Sequence, residues 1–518
     1  MRTLVQVLRE NASRADRADV FVRMNGEERT VPYPELYALA CQRAHRLHEL
    51  GLEKGDRVAI ILPEPDSFVL AFLGAITAGL VPVPMYPPLT LAKMDAYGET
   101  VRHILSASGA QALITVPGLA PMLQQHLISE VGDDVKLILD QDLEGEPMVD
   151  PVPPCEVTLD DVAFLQFTSG STRKPKGVVV THRNLAANAK CVMFDGLKAT
   201  ENDKGVTWLP LYHDMGLIGF VIAPLFAQVP VVFLPTMNFI RRPQLWLEAI
   251  HKHRGTITFA PNFAYALATR AIKREQSAEW DLSCLKAVGC GAEPILPSTI
   301  EAFVDRFSES GLRRSAILPC YGLAEATLAV AFRGLELPML TERVCANAMN
   351  DGVAKPASDK GALEIVSVGK AFPDHELRVV DETGATLADG VVGHVLLKGP
   401  SVTPGYFKAP QETAAVFQAD GWLRTGDLGY LRDGELFVCG RAKDLIIING
   451  KNYYPQDIER IAADAYGVRP DQCVAFARPG VSSEECVVVA EALKRGTDVD
   501  GIDAAIKQKV RTELGVPV

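Results

Sequence analysis

At 518 residues the chain is long enough for about three or four domains. Apolar residues make up 48% of it and charged residues 22%, which excludes a disordered polymer and implies packed cores. The net charge of −12 excludes a general nucleic-acid binder, which needs a basic face, but leaves small anions open to capture by local basic loops.

Charged residues begin at Arg2 and no long apolar core follows, so the N-terminus does not read as a secretory signal. The ten cysteines are scattered singly with no C-x-x-C pair, which points to reduced thiols and a cytoplasmic setting rather than disulfides or a zinc site. Residues 35–50 carry apolar side chains at helical spacing and stop at Gly51. VAIIL at 58–62 reads as a buried strand, 68–79 as a helix and 81–85 as the next strand. ALIT at 112–115, VKLIL at 135–139 and VVFLP at 231–235 continue the alternation. Strands alternating with helices predict an α/β protein with largely parallel sheets. Long uncharged runs at 67–92 and 215–240 are broken by prolines, so each predicts a buried helix and a strand, with no membrane span. PVPP at 151–154 reads as a connector. The stretch 333–364 reads as a loop-like insertion. From about 366 to 440, short strands separated by Glu382-Thr383-Gly384, Asp389-Gly390 and Asp433-Gly434 predict a small β-rich subdomain, and mixed α/β follows to Val518.

Residues 167–185, FTSGSTRKPKGVVVTHRNL, are the most informative. Thr168, Ser169, Gly170, Ser171 and Thr172 cluster hydroxyls and backbone N–H groups, and Lys174 and Lys176 add positive charge, which is the composition of a polyphosphate cradle. It is not a Walker A loop, because Gly177 is followed by Val178. A polar surface turn is the plain alternative. CGAEPI at 290–295, with Gly289, Gly291 and small Ala292, offers a flat backbone for a planar ring, or is an ordinary strand-to-helix turn. In PCYGLAEATL at 319–328, Tyr321, between Cys320 and Gly322, offers an aromatic face for a base, and Glu325 offers a hard oxygen for Mg²⁺. Cys290 and Cys320 read as small packing residues. Asp427 in GWLRTGDLGYL lies between glycine turns, which predicts an accessible carboxylate able to accept two ribose hydroxyls, or a solvated hairpin Asp. In GRAKDLIIINGKN at 440–452, Arg441, Lys443 and Asp444 precede a strand.

In this order and at this spacing the stretches resemble the adenylate-forming superfamily of acyl-CoA synthetases, peptide-synthetase adenylation domains and luciferases. The resemblance spans essentially the whole chain. Arg173, LPLYHDMGLIG at 209–219, Ala324 in YGLAEATL, GKNYYPQDIE at 450–459 and the extra segment near 340–364 are similar to fatty acyl-AMP ligases. The resemblance implies an N-terminal adenylate-forming domain over 1–442, made of two α/β sheet subdomains and the β-rich subdomain, and a small mobile α+β domain over 443–518 with its hinge at Lys443. It implies an acid–thiol ligase: ATP and Mg²⁺ activate a fatty acid to acyl-AMP, pyrophosphate leaves, and the acyl group passes to a phosphopantetheinylated carrier protein. Thr168 to Thr172 and Lys176 would hold the phosphates, Glu325 the Mg²⁺, Tyr321 with Gly291, Ala292 and Glu293 the adenine, and Asp427 with Arg441 the ribose. His213 would lie near the acyl carboxylate. An apolar acyl tunnel would use His213, Met215, Phe259, Asn262 and Phe263, with 258–272 as its wall. Ala324 lacks the hydroxyl that many relatives carry there, and either Thr327 or a backbone N–H would replace it. The insertion would pack on the mobile domain and disfavour CoA. The superfamily's C-terminal G-K lysine would follow a segment similar to TELGVPV at 512–518, so either the C-terminal domain is truncated or the tail is supplied differently, and the chain as it stands is expected to bind ATP and fatty acid but to adenylate slowly. An acyl-CoA synthetase and a nucleotide- and lipid-binding pseudoenzyme are the alternatives; Asp214 as an amine-binding carboxylate, as in amino-acid adenylation, is discounted because it lies in YHDMG.

Overall fold

The computed structural model describes the chain except residues 89–93, 125–134, 146–154, 169–173, 359–361, 449–450, 480–483, 494–497, 515 and 517. The connector read at 151–154 lies outside the described residues. Two α/β sheets form the body. In the first, Arg57–Ile61, Val81–Pro84, Ala112–Thr115 and Lys136–Leu139 run parallel, with Arg57–Ile61 paired to the second and third. All four residues of Ala112–Thr115 are buried, as expected of a parallel strand covered on both faces.

The second sheet has nine strands. Its centre is parallel: Val231–Phe233, Gly205–Thr207, Ile257–Ala260, Ala287–Cys290 and Ile317–Gly322 lie in that spatial order. One edge is an antiparallel hairpin from the start of the chain, Ala18–Val22 with Glu28–Pro32, docked parallel on Val231–Phe233. The other edge turns antiparallel at Ala329–Phe332 and Lys370–Ala371. The helices Tyr33–Glu49 and Pro65–Thr77 pack on each other beside these sheets. The first uncharged run is Pro65–Thr77 followed by Val81–Pro84. The second is a helical stretch through Leu217–Ile222 and Ala223–Ala227 followed by Val231–Phe233. No described helix is long and apolar enough to cross a membrane.

A separate antiparallel pair, Val162–Thr168 and Lys176–Thr181, carries the hydroxyl-rich loop at its turn. A four-stranded antiparallel sheet follows at Glu376–Val380, Gly393–Lys398, Leu423–Arg432 and Glu435–Arg441. The segment read as loop-like carries regular elements: Thr341–Val344 pairs with Leu363–Val366, and the short helix Ala346–Asn350 falls between them in the chain. Val344 and Met349 from it join Tyr430 and Phe437 of the four-stranded sheet and Ile446, Ile458 and Val510 of the C-terminal segment in one apolar core. That C-terminal segment comprises the hairpin Ile446–Ile448 and Lys451–Tyr453, the helix Pro455–Ala463, the pair Val468–Pro479 and Glu484–Ala492, and the helix Val499–Leu514.

Candidate active site

The site lies where the C-terminal ends of the central parallel strands meet the four-stranded sheet. Ile317–Gly322 delivers Cys320, Tyr321 and Gly322, with a register shift between Tyr321 and Gly322 as the chain turns antiparallel. Only glycine fits at 322, because a Cβ there would stand 1.9 Å from the Leu328 carbonyl oxygen. The neighbouring strand Ala287–Cys290 delivers Gly291, Ala292 and Glu293. A Cβ at Gly291 would stand 2.6 Å from Cys320 Sγ, so the two strand ends touch through bare backbone. Ala292 adopts φ 68°, a region that side-chain-bearing residues enter rarely. Cys320 donates its thiol to the Cys290 carbonyl at 3.2 Å, and burial pushes its ionisation up to about 12. Both cysteines are packing residues rather than nucleophiles, and all ten cysteines are free thiols.

Asp427 was expected on an accessible turn; it sits inside Leu423–Arg432 and is 5% exposed. Arg441 stands directly opposite in the ladder, and its Nε lies 2.8 Å from Asp427 Oδ1. The Tyr321 hydroxyl donates to Asp427 Oδ2 at 2.5 Å. Burial raises the Asp427 carboxyl above its ordinary range, and Arg441 opposes that shift. Each carboxylate oxygen retains a second lone pair, so the group can still accept two further hydroxyls.

Glu325 lies in the 3₁₀ turn Ala324–Ala326, half-buried, and its Oε1 accepts the Tyr406 hydroxyl at 2.7 Å. Among the described residues no three His, Cys, Asp or Glu side chains converge into a metal cluster. One carboxylate suits Mg²⁺ that arrives on nucleotide phosphates, because such sites take one or two protein carboxylates and complete the shell with phosphate and water. The hydroxyl of Thr327, one of the two candidates to replace the missing threonine at 324, is not available: it is fully buried and donates to the Ser401 carbonyl at 2.6 Å.

Thr168 and Lys176 face each other across the hairpin and frame the loop. Ser169, Gly170, Ser171, Thr172 and Arg173 lie outside the described residues. The Lys176 ammonium stands 5.2 Å from the centre of the Tyr406 ring, within cation–π range. His213 is exposed just ahead of the short helix Asp214–Gly216, and the Tyr212 carbonyl beside it is fixed by Gln166 Nε2 at 3.0 Å. The surrounding protein disfavours the charged forms of both neighbours, lowering the His213 pKa and raising that of Asp214.

A pocket of about 740 Å³, part of it open solvent, includes Ala292, Cys320, Tyr321 and Gly322 and continues between apolar walls. Met215 and Phe259 line it. His213, Asn262 and Phe263 are not among its lining residues. Asn262 Oδ1 instead accepts the Leu296 N–H at 3.0 Å, and Phe263 packs edge-on against Trp208 while its N–H donates to Glu293 Oε1 at 2.6 Å. The wall comes from elsewhere: Val192 and Leu197 at the end of the π-helical Lys190–Gly196, Phe220 in the π-helical Leu217–Ile222, and Leu328 and Phe332 beyond the Glu325 turn. Lys443 is exposed in the 3₁₀ turn Ala442–Asp444, two residues past Arg441.

Residues 8–407 match the family model described as AMP-binding enzyme. The chain belongs to this family. Its members are adenylate-forming enzymes of the ligase type, and the similarity extends to fatty acyl-AMP ligases. The long-chain-fatty-acid–AMP ligase FadD26 of Mycobacterium tuberculosis is 36% identical over 91% of this chain and 82% of its own length. A Caulobacter vibrioides protein named "Putative acyl-CoA synthetase" is 39% identical over 93% of this chain and 84% of its own length. Among solved structures, one from a study of fatty acyl-adenylate ligases of E. coli and L. pneumophila superposes with a TM-score of 0.93 at 35% identity, covering all of this chain and 93% of that one. The L. pneumophila ligase solved with acyl adenylate and pyrophosphate superposes at 0.79 and 31% identity, covering 100% and 91%. For an AMP-binding enzyme the cleft thus has a polar end and a greasy end that share four residues. Sequence reasoning missed Tyr406 and the π-helical walls. The only local signal for Tyr406 is the turn Thr403-Pro404-Gly405 ahead of it, and π-helices carry no simple hydrophobic period.

Proposed function

We propose that this AMP-binding enzyme activates a fatty acid to acyl-AMP and passes the acyl group to the phosphopantetheine thiol of a carrier protein. The observation that carries the reading is the single cleft in which Tyr321, held against Asp427, closes one end of an apolar cavity lined by Met215, Phe259 and Phe220. A carboxylate head seated at Ala292 and Tyr321 then meets the α-phosphate of a nucleotide whose ribose hydroxyls rest on Asp427. A carboxylate oxygen attacks the α-phosphorus, the bond to the bridging oxygen of the β-phosphate breaks, and pyrophosphate leaves. Thr168 to Thr172 and Lys176 would neutralise the β- and γ-phosphates, Glu325 would hold Mg²⁺ on them, and Gly291, Ala292 and Glu293 would bound the adenine opposite Tyr321. Neutral His213 would orient the carboxylate without locking it in an ion pair. These groups act by positioning and charge neutralisation rather than by covalent chemistry. The thiol then attacks the acyl carbon, and AMP departs with the bonding pair of the acyl–phosphate link. We assign the enzyme to the cytoplasm, which fits its free thiols.

Pyrophosphate release measured across fatty acids of increasing length, with mass spectrometry of the adenylate, tests the first half. Release should require an acid, and the adenylate should carry its mass. For the second half, CoA and a phosphopantetheinylated carrier are compared as acceptors. Thioester on the carrier is expected; thioester on CoA alone would favour an acyl-CoA synthetase.

A further inference from the structure

Residues 401–407 touch both halves of the polyphosphate end. On one side they hold the Glu325 turn: the Thr403 N–H donates to the Glu325 carbonyl at 2.9 Å, and the Ser401 carbonyl takes the Thr327 hydroxyl. Thr327 adopts φ 70° and ψ −65°, a strained conformation that persists because its surroundings over-determine it. The Ser401 hydroxyl is itself anchored on His375 Nε2 at 2.6 Å, while His375 Nδ1 donates to the Pro373 carbonyl at 3.0 Å. On the other side the same residues run beside the strand that leaves the hydroxyl-rich loop. Val179 N–H donates to the Gly405 carbonyl at 2.9 Å and Phe407 N–H to the Gly177 carbonyl at 2.7 Å, with Tyr406 bridging Val178.

Tyr406 is the residue where the two sides meet. Its hydroxyl reaches Glu325 Oε1 and its ring face lies under the Lys176 ammonium. The Tyr406 N–H donates to Thr413 Oγ1 at 2.9 Å and its ring packs edge-on against Phe417, so the side chain is fixed from behind. A carboxylate terminal torsion is otherwise broad, and a hydrogen bond to one oxygen selects its orientation and leaves Oε2 for a cation.

We propose that Tyr406 is a positioning residue that locks the cation-binding carboxylate of Glu325 and the phosphate-binding ammonium of Lys176 into one fixed relation around the triphosphate. The inference rests on the nucleotide reading given under Proposed function. Tyr406→Phe removes the hydroxyl and keeps the ring; Tyr406→Leu removes both.

The expected result for Tyr406→Phe is a rise of about tenfold in the KM for MgATP and in the Mg²⁺ concentration giving half-maximal rate, the loss of one hydrogen bond to a charged group. The KM for the fatty acid and the melting temperature should stay at wild-type values, and Tyr406→Leu should bind MgATP more weakly still. In a double-mutant cycle, Tyr406→Phe should add nothing on a Glu325→Ala background, because it acts through that carboxylate. Calorimetric titration of the whole chain with MgATP supplies a readout independent of turnover. If Tyr406→Phe binds MgATP and responds to Mg²⁺ like wild type while Glu325→Ala is impaired, or if the two effects multiply, the Tyr406 assignment is overturned and the nucleotide site stands. If the wild-type chain binds no MgATP at all, the nucleotide site falls and the assignment falls with it.

Discussion

Asp427 shows how burial and charge divide the work at one residue. Its carboxyl is raised by burial and pulled back by Arg441, and both oxygens are already engaged. A raised folded-state value means that the native fold gains proton-linked stability fully present below the ordinary Asp range and lost as pH rises through the raised value. Recognition of ribose runs the opposite way, because only the ionised group accepts hydroxyls on both oxygens. The KM for ATP should therefore climb as pH falls through the raised value, at higher pH than a surface Asp would dictate. Arg441→Ala should move that climb to still higher pH, and Asp427→Asn should abolish it while weakening ATP at neutral pH by about tenfold. A KM for ATP that is flat with pH in the wild type would contradict this account. The candidate identity of Asp427 was legible from its sequence context, but its burial was not. The flanking glycines suggested a turn, whereas Gly426 takes its φ of 81° inside a strand, beside a residue that pairs across the ladder.

Among the elements, parallel strands and amphipathic helices were legible because their periods are local. ALIT at 112–115 is a strand over those same residues, and the helix read at 35–50 runs over Tyr33–Glu49. The strand Ala18–Val22, next to the sheet edge, was not read, since five residues with alternating burial beside a charged turn resemble a loop until Val231–Phe233 and Glu28–Pro32 supply partners. The cavity walls were illegible for a related reason. Two π-helical segments line it, and the helix Asn262–Ala271, which carries the more regular apolar pattern, does not. The floor depends on Gly289, where a Cβ would stand 2.0 Å from the Phe259 ring. Gly289→Ala should cost roughly 1–3 kcal/mol of stability by overpacking, and it should push Phe259 into the acyl space. Activity, kcat/KM, measured over a fatty-acid series should then fall more for long acids than for short ones. A uniform loss across the series would show that Phe259 does not set the length of the channel.

For the whole molecule, the hairpin Thr341–Val344 with Leu363–Val366 and the helix Ala346–Asn350 share a core with the four-stranded sheet and the C-terminal segment. Met349 is 1% exposed in that core. Met349→Ala should cost about 2–5 kcal/mol there. It should speed tryptic cleavage at exposed Lys443 while leaving the parallel sheets protected, as read by limited proteolysis and hydrogen exchange. Unchanged cleavage would mean that the C-terminal segment is held by other contacts.

The sequence by itself determined the fold class, the order of the chemical motifs and the candidate polar residues Tyr321, Glu325, Asp427 and Arg441. Turn chemistry, strand runs and hydroxyl clusters depend on neighbours a few positions away. Tertiary structure alone decided which of them touch. Tyr321 reaches Asp427 across 106 positions and Tyr406 reaches Glu325 across 81, and the cavity is closed by segments brought together from 192 to 332. Contacts over such separations arise when distant apolar faces are buried together, a process that no local period encodes.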